Sequence, residues 1–355
     1  MNDGQRIDLS GGFACPLPIS EYPQVLLAHG GGGKLSHQMI RKMFLSQFDS
    51  KLLKPLHDGA VMYIDGVRLA FSTDSYVIHP IFFPGGDIGT LAVYGTVNDL
   101  SMCGANPLYL SVGFIIEEGL PMEDLWRVVC SMQEAARSAG VQLVTGDTKV
   151  VDRGKGDGIF INTAGIGLVT AGVEIGPHRA QPGDRIILSG TIADHGIAIM
   201  SVREGLEFDT ELRSDSSALN GLVQEILRTS KNIHVLRDPT RGGVASALNE
   251  IAESACAGIR IIEERIPVSE DVKGACEILG FDPLYVANEG KLLAFVAPKD
   301  ADRVLAAVQH HPLGRNAVII GEVVREHPGT VVMTTRIGGS RVVDMLSGEQ
   351  LPRIC

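Results

Sequence analysis

The sequence predicts a two-domain protein of the α/β (α+β) class, with a mixed-sheet domain followed by an α/β sandwich. The chain has 355 residues, which is more than one hydrophobic core usually serves. Short apolar runs alternate with segments of helical period, as in sheets that are covered by helices. A polar stretch with Pro and Gly at 176–184 separates two such halves, and we expect the domain boundary there.

Composition argues against several classes of protein. The chain has 42 acidic and 31 basic residues, and its formal charge of −11 disfavours nonspecific binding to nucleic acid. The sequence lacks a long apolar run of membrane-spanning length, and its N-terminus lacks a secretory pattern, so we expect a cytoplasmic protein that is not in the membrane. The six cysteines form no C-x-x-C pair, which argues against a zinc knuckle.

The first domain is predicted to span 25–175, after a mobile leader at 1–24 that is rich in Gly, Pro, Ser and Asp. The apolar run at 25–30 favours a strand or an extended segment, and a glycine run then opens a helix over 34–48. The elements predicted next are strands at 59–66 and 68–78 joined by an Asp-Gly turn, a helix at 89–102, a strand at 108–119, a helix at 121–140, and strands at 141–151 and 159–170.

The second domain is predicted to span 176–334, and a flexible C-terminal tail at 335–355 carries the last cysteine. Its predicted elements are strands at 185–190, 259–268, 291–298 and 317–324, helices at 217–230, 244–255, 271–280 and 299–311, a glycine turn at 237–243, and one or two strands after 327.

Four consecutive glycines precede Lys34 at the predicted start of the first helix. They are Gly30, Gly31, Gly32 and Gly33. Backbone N–H groups in such a run are free to face an anion, and a helix N-terminus favours negative charge. The spacing matches neither a Walker A loop nor G-x-G-x-x-G. The run therefore indicates either a cover over phosphates or a flexible hinge.

Aspartates recur at the ends of apolar elements in the first half of the chain. They are Asp58, Asp74, Asp99 and Asp147, each flanked by Gly, Ser, Thr or Asn. Any one of them is typical of a turn or a helix cap. Carboxylates at such positions are also the hard oxygen ligands that Mg²⁺ prefers. Four in one domain, beside a glycine loop, favour a magnesium–nucleotide site.

Three further positions combine a charged side chain with a strand end or a turn. Lys149 lies two residues after Asp147, so both side chains share one face of a strand, where a lysine suits either a phosphate or a salt bridge. Asp238 precedes a Gly-Gly helix start and suits either a cap or a metal contact. Glu289, beside Asn288, is either a surface turn residue or a general base in an interdomain cleft.

Six segments occur in an order that resembles the hydrogenase maturation protein HypE family: AHGGGGK, FSTDSYVIHPIFFPGGDIGTLAVYGTVNDLSMCGA, VTGDTKVV, RDPTRGGV, ANEGKLL and the terminal PRIC. The resemblance runs from about His29 to Cys355. It implies a two-domain PurM-like fold, shared with aminoimidazole ribonucleotide synthetase and selenophosphate synthetase. It also implies a homodimer formed through the sheet of the first domain.

The resemblance implies a role for the cysteine that ends the sequence. In that family the carbamoyltransferase HypF loads a carbamoyl group onto this sulfur. The protein then uses ATP to dehydrate the thiocarboxamide to a thiocyanate, and the HypC–HypD complex receives the cyano group for the iron of [NiFe]-hydrogenase. An amide oxygen leaves poorly unless it is phosphorylated, so this chemistry needs Mg²⁺, ATP, a base and a covalent carrier.

The resemblance also implies individual roles. Cys355 carries the carbamoyl and then the cyano group, Lys149 neutralises the transferring phosphoryl group, and Glu289 is the candidate base. Asn288 and Asp99 complete the predicted catalytic set. Magnesium ligands are expected among Asp74, Asp99, Asp147, Asp58 and Asp238. Nucleotide contacts are expected from Gly30, Gly31, Gly32, Gly33, Lys34, Thr73, Asn98, Gly146, Thr148 and Lys149.

Two alternatives stay open from the sequence. A PurM-like synthetase could release a free small molecule, although a diffusing product needs no terminal thiol. A non-catalytic scaffold could merely present Cys355 to its partners, and the Asp, Lys and Glu side chains would then be dispensable. Hydrolysis of ATP by variants of Asp99 or Glu289 distinguishes an enzyme from a scaffold.

Overall fold

The structure is a computed structural model that describes residues 22–205, 212–348 and 354. Most of the predicted leader, and Cys355 itself, lie outside the described residues. Within these described ranges, no helix combines the length and the apolar composition that a membrane span requires.

The first domain is built on a five-stranded mixed sheet with the order β1-β2-β7-β5-β6. Its strands are β1 (Ala60–Ile64), β2 (Val67–Tyr76), β5 (Ala105–Glu117), β6 (Gln142–Val151) and β7 (Ile159–Val169). β5 and β6 run parallel, and the other neighbours run antiparallel. A short hairpin of β3 (Phe82–Phe83) and β4 (Gly86–Asp87) leads from this sheet to its helices.

Helices cover one face of this sheet. They are α3 (Ile88–Met102) and α4 (Met122–Ala139). Asp87 caps α3 by accepting a hydrogen bond from the Thr90 N–H at 2.9 Å, and α4 ends at Gly140 in the left-handed region. α3 is buried on nearly all sides because it lies between the sheet, α4 and the second domain. The helix therefore holds its polar side chains at the joint between the domains.

The opposite face of the sheet carries exposed apolar side chains. A row across three strands consists of Phe71, Ile166 and Tyr109, which are paired in register and are 41%, 36% and 42% exposed. The edge strand β6 is exposed along most of its length. An apolar face of this size is typical of a protein–protein contact.

The second domain is a seven-stranded sheet with helices on both faces. The strand order is β14-β13-β10-β12-β8-β11-β9. The strands are β8 (Arg185–Leu188), β9 (Ile233–Arg237), β10 (Gly258–Ile262), β11 (Leu293–Val296), β12 (Val318–Val324), β13 (Val331–Thr334) and β14 (Ser340–Val342). α7 (Gly243–Ala255) packs on one face, and α6 (Asn220–Thr229) with α9 (Ala301–His310) packs on the other. α5 (Asp194–Glu204) packs against α8 (Glu270–Leu279).

Most predicted elements are present, and three expectations need correction. The run at 25–30 is not a strand, because Leu27–His29 form a 3₁₀ turn. The helix that follows is continuous over 34–48 but contains a π segment at Ile40–Phe44 between α1 (Lys34–Met39) and α2 (Leu45–Phe48). α5 and β9 were not predicted, because α5 is buried on most sides and lacks a polar face, while β9 is short and runs into the predicted turn.

The predicted tail begins inside the second domain. β14 lies within the range 335–355 and pairs with β13. After it, the Leu346 carbonyl accepts a hydrogen bond at 2.9 Å from the N–H of Lys34, at the start of α1. The described chain up to residue 348 is thus attached to the body of the protein, beside the glycine loop.

We predict that Gly95→Ala destabilises the protein. In a helix interior this change usually stabilises by about 1 kcal/mol. Here the added Cβ would overlap the hydroxyl of Tyr76, which is 2% exposed, so the effect should reverse. Urea unfolding should give a lower free energy of unfolding for Gly95→Ala. Tyr76→Phe in the same chain should restore part of the loss.

Gly113→Ala is the matched control in the same domain, because its Cβ would meet nothing closer than 3.8 Å. The prediction fails if Gly95→Ala is as stable as the wild type, or if both alanine variants lose the same free energy.

Candidate active site

Three carboxylates from distant parts of the chain meet between the two domains. Asp58 precedes β1, Asp99 lies in the last turn of α3, and Asp238 directly follows β9. One oxygen from each lies within 4.8 Å of the others. The predicted ligands Asp58, Asp99 and Asp238 are therefore brought together by the packing of the domains.

Basic and hydroxyl groups hold this carboxylate cluster in place. The Arg237 guanidinium contacts Oδ1 of Asp58 at 2.6 Å and also pairs with Glu250 of α7. Glu250 in turn contacts Nε2 of His37 in α1 at 2.9 Å. The helix after the glycine loop is thus linked to the cluster through Glu250 and Arg237.

Burial and the neighbouring carboxylates raise the pKa values of two groups of the cluster, Asp99 and Asp238. Burial, and after it the charges of Asp238 and Asp58, raise the pKa of Asp99 well above its usual value. A hydrogen bond from the Ser72 hydroxyl, at 2.7 Å, acts in the opposite direction. Burial and the Asp58 charge raise the pKa of Asp238 to about 8, although Arg237 opposes the shift. The site favours either protons or a bound cation.

The donor set fits a magnesium ion. Carboxylate oxygens are the ligands that Mg²⁺ prefers, and one or two of them with water and phosphate complete its shell. Oδ2 of Asp58 is buried without a hydrogen-bond partner among the described residues, and Nδ1 of His57 lies 3.5 Å from it. An unsatisfied buried oxygen at this point is available to a cation.

The other two predicted metal ligands lie outside the three-carboxylate cluster. Asp74, on β2, is near enough to raise the pKa of Asp99 and Asp238, and its Oδ1 lies 3.7 Å from the Arg241 guanidinium. Asp147 is on β6, three strand positions from β2, which corresponds to about 14 Å. It pairs with Nζ of Lys149 at 2.7 Å on the exposed face of the sheet.

The residues that were predicted to contact nucleotide near this face are hydrogen-bonded or closely packed within the sheet. Oγ1 of Thr73 donates to the Thr163 carbonyl at 3.0 Å, and the N–H of Thr148 donates to Asp147 at 2.8 Å. Gly146 packs against the backbone of Val112, where a Cβ would overlap the carbonyl. The lysine and aspartate of β6 therefore project from a well-ordered strand.

The glycine loop lies against the tail and the turn after β9. A Cβ on Gly32 would come within 2.7 Å of the Arg241 carbonyl, and a Cβ on Gly33 would overlap the Leu346 carbonyl. Gly32 also has a φ of +71°, which favours glycine. Close backbone approach therefore explains two of the four glycines without a nucleotide. Gly30 and Gly31 lie in the same turn before α1, and Lys34 is the first residue of α1.

Two buried asparagines join the segments around the site. Asn98 of α3 accepts a hydrogen bond from the N–H of Leu219 at 2.8 Å and donates to the Ser217 carbonyl at 3.0 Å. Asn288 accepts from the N–H of Ala193 at 2.8 Å and donates to the Pro239 carbonyl at 2.9 Å. Both side chains are occupied by backbone groups, which suits a positioning role.

Glu289 is a buried carboxyl group beside the cluster. It is 5% exposed, and its Oε1 has no hydrogen-bond partner among the described residues. Burial and the charge of Asp238 raise its pKa well above the usual value. Its backbone N–H donates to Asp215 Oδ1 at 3.0 Å, which fixes the loop. A buried carboxyl with one unused oxygen is suited to proton transfer.

Sequence reasoning missed several residues that support this site. They are Arg237, Glu250 and Asp215. Arg237 stands immediately before Asp238 in the segment RDPTRGGV. Because Asp238 was already a candidate ligand, its position could have indicated Arg237 as well. Glu250 and Asp215 lack a local signal because their partners are distant in sequence.

Family descriptions match both halves of the chain. "AIR synthase related protein, N-terminal domain" matches residues 56–169, and "AIR synthase related protein, C-terminal domain" matches residues 181–334. The two-domain fold with its carboxylate cluster at the joint therefore defines an AIR synthase-related protein. This confirms the PurM-like fold class that the sequence predicts.

Individual relatives narrow this class. The chain is 54% identical to carbamoyl dehydratase HypE of Cupriavidus necator over 345 residues, which cover 97% of this chain and 98% of that protein. A solved HypE–HypF complex contains a chain of 49% identity with a TM-score of 0.83, covering 87% of this chain and 99% of that one. HypE in complex with ATP is 51% identical, with a TM-score of 0.79, covering 94% and 100%.

The chain belongs to the carbamoyl dehydratase HypE family, as its motifs predict. It is therefore a member of an enzyme family that serves hydrogenase maturation.

We predict that Asp238→Asn changes how stability depends on pH when metal is removed by a chelator. The folded-state pKa of Asp238 is about 8 and the unfolded value is near 3.8. Its stabilising contribution is therefore present below about pH 4 and is lost as the pH rises through 8. Between these two pKa values, the free energy of unfolding of the wild type should fall relative to that of Asp238→Asn, by up to about 1.4 kcal/mol per pH unit.

Urea unfolding from pH 5 to pH 9 measures this difference. Saturating Mg²⁺ should reduce it, because the cation favours the ionised carboxylates. Parallel pH profiles for the two proteins in chelator would contradict the assignment.

Proposed function

We propose that this chain is an ATP-dependent carbamoyl dehydratase that converts a thiocarboxamide on Cys355 to a thiocyanate. The cyano group would become the cyanide ligand of the [NiFe]-hydrogenase iron. The observation that carries the proposal is the juxtaposition of the carboxylate cluster at Asp58, Asp99 and Asp238 with the buried Glu289. The carboxylate cluster suits Mg²⁺ with ATP, and Glu289 suits removal of a proton.

ATP is the proposed energy source, and Mg²⁺ its proposed companion. A relative of 51% identity has been solved in complex with ATP. Asp58, Asp99 and Asp238 would hold the ion, with Asp74 at the edge of the cluster. When bound, Mg²⁺ would neutralise charge on the phosphate oxygens of ATP. The role of Lys149 in neutralising the transferring phosphoryl group stays a prediction, because Lys149 and its partner Asp147 lie on the exposed face of β6 and not beside the carboxylate cluster.

The proposed reaction balances in two steps. The carbamoyl oxygen attacks the γ-phosphorus of ATP, ADP leaves, and the nitrogen loses one proton. The second N–H proton is then removed, the C–O bond breaks, and phosphate leaves with its electron pair as the C≡N triple bond forms. Thiocarboxamide and ATP thus give thiocyanate, ADP and phosphate, and the carbamoyl oxygen ends in the phosphate.

Glu289 is the proposed base for the nitrogen proton. A buried carboxyl with a raised pKa is a stronger base, once ionised, than a carboxyl in water. Asn288 holds the backbone next to Glu289 by its hydrogen bonds to Ala193 and Pro239. We assign Asn288 a positioning role in this proposal.

The carrier explains the proposed partners. A thiol on the last residue of the sequence can receive a group from one protein and deliver it to another. A relative of 49% identity has been solved in complex with HypF, so we propose the HypF carbamoyltransferase as donor. We propose the HypC–HypD complex as acceptor, and the cytoplasm as the location of both exchanges. We propose no nucleic-acid partner for this acidic chain.

A homodimer through the first sheet is the proposed assembly. The exposed row of Phe71, Ile166 and Tyr109 supports it, because a second copy would bury these side chains. Ser75, Asn162 and Asp147 lie in register further along the sheet, so a partner on the apolar row would also lie near Lys149.

We predict that Glu289→Gln separates loading from dehydration. Incubation with HypF, carbamoyl phosphate and ATP should add the mass of a carbamoyl group to Cys355 in both proteins. With Mg²⁺ and ATP, the wild-type adduct should then lose the mass of one water, and the Glu289→Gln adduct should lose it at least about 100-fold more slowly. Intact-protein mass spectrometry with peptide mapping measures both steps.

Cys355→Ser is the control for the carrier and should stay unmodified. Equal dehydration rates for Glu289→Gln and the wild type would exclude Glu289 as the base. Adducts that never lose water in the wild type would favour a scaffold instead of an enzyme.

We predict that Ile166→Asp weakens the homodimer. A charge in the centre of the apolar row must be desolvated if the row is buried, which costs several kcal/mol. Sedimentation velocity should show a dimer for the wild type and mainly monomer for Ile166→Asp. Ile337→Asp is the control, because Ile337 is 95% exposed in the second domain. A wild-type monomer, or a variant that still dimerises, contradicts this interface.

A further inference from the structure

The residue before Cys355 is docked in the body of the protein. Ile354 is 3% exposed and packs in the core of the first domain. It forms an isolated antiparallel bridge with Ile78, just beyond the end of β2. Its carbonyl oxygen lies 2.7 Å from Nε2 of His195. The end of the tail is therefore held by both an apolar site and a hydrogen bond.

His195 has a geometry that fixes its ring and its proton. It lies at the start of α5 and is fully buried. Its ring packs edge-on against the Phe83 ring, with 5.7 Å between the ring centroids. Its Nδ1 lies 2.8 Å from Oγ of Ser214, which accepts a hydrogen bond from the N–H of Ser216 at 3.1 Å. The ring cannot rotate without breaking both of its contacts.

The direction of each hydrogen bond follows from the acceptor. A carbonyl oxygen carries no proton, so Nε2 of His195 must donate to Ile354. Burial lowers the pKa of His195, which favours the neutral ring. In a neutral ring Nδ1 is then an acceptor, and the Ser214 hydroxyl donates to it. The chain of hydrogen bonds from Ser216 to Ile354 has one consistent direction.

The same segments hold His195 and Glu289. Asp215, next to Ser214, accepts the hydrogen bond from the N–H of Glu289 at 3.0 Å. Asn288, next to Glu289, accepts from the N–H of Ala193, two residues before His195. The group that holds the end of the tail and the candidate base are therefore fixed to one shared scaffold.

We propose that His195 is a positioning residue that holds the docked tail by donating a hydrogen bond from Nε2 to the carbonyl of Ile354, with Ser214 fixing the donor. Its consequence for catalysis rests on the proposed function: loss of the hydrogen bond to Ile354 would slow the reaction on Cys355, the next residue in the chain. The docking itself does not depend on that function.

Cleavage of the last peptide bond tests docking directly. A serine carboxypeptidase that removes Cys355 must attack the carbonyl of Ile354, the same atom that His195 binds. The enzyme therefore acts when Ile354 has left its site. Under reducing conditions, the rate at which the intact protein loses the mass of Cys355 reports the undocked fraction.

Two matched substitutions separate the hydrogen bond from the bulk of the ring. The amide nitrogen of Gln reaches the position of Nε2, so His195→Gln keeps a donor toward Ile354. The amide of Asn matches the position of Nδ1 and stops short, so His195→Asn loses that donor. We expect cleavage of His195→Asn to be roughly five- to tenfold faster than wild type, and that of His195→Gln to stay within about twofold.

Ser214→Ala provides a second route that leaves His195 in place. Without the serine donor the tautomer is no longer fixed, so cleavage should accelerate by a smaller factor. Circular dichroism must show an unchanged melting temperature for each variant that is compared. Wild-type cleavage rates in His195→Asn contradict the proposal. Equal acceleration in His195→Asn and His195→Gln also contradicts it, because the bulk of the ring would then be responsible.

The test is independent of the chemistry on the thiol. Cleavage requires neither ATP nor a carbamoyl group, so it stays interpretable if dehydration is never observed. If docking is confirmed, His195→Asn should also slow dehydration while loading by HypF stays unchanged. Confirmed docking with unchanged dehydration would uphold the role of His195 at the tail and separate it from the proposed reaction.

Discussion

The close approach of Asp58, Asp99 and Asp238 is the constraint on which the rest of the structure depends. Like charges within 4.8 Å repel, and burial strengthens that repulsion. The Arg237 guanidinium offsets part of this repulsion by pairing with Asp58, and it is itself held by Glu250. The remaining negative charge favours a bound cation at the joint between the domains. Such a cation would connect Asp99 of α3, in the first domain, to Asp238 at the end of β9, in the second.

One short segment, residues 214–217, supports both the candidate base Glu289 and the docked tail. Residues 214–217 touch α3 through Asn98, the Glu289 loop through Asp215, and the His195 ring through Ser214. A short segment of one domain thus fixes three separate parts of the site. Because these contacts are mostly hydrogen bonds to backbone groups, the arrangement depends on fold geometry more than on the side chains that perform chemistry.

The sequence predicted local structure well and spatial association poorly. α4 could be placed almost to the residue, because Pro121 and Gly140 mark its ends, and the motifs led to the correct family. Only the family resemblance placed Asp58 and Asp238 among the same expected ligands, and the residues alone did not group them, since their contact depends on how two domains pack. α5 was missed because a helix buried on most sides has no amphipathic period, and the role of His195 at its start was missed with it.

We propose that the buried cluster, and not the exposed aspartate of β6, binds the magnesium that accompanies ATP. Isothermal titration of Mg²⁺ into the protein saturated with ATP tests it most directly. The account predicts that Asp99→Asn weakens Mg²⁺ binding at least about tenfold, which corresponds to about 1.4 kcal/mol, while Asp147→Asn leaves it within about twofold. The reverse order of effects would contradict the account and move the magnesium site to β6.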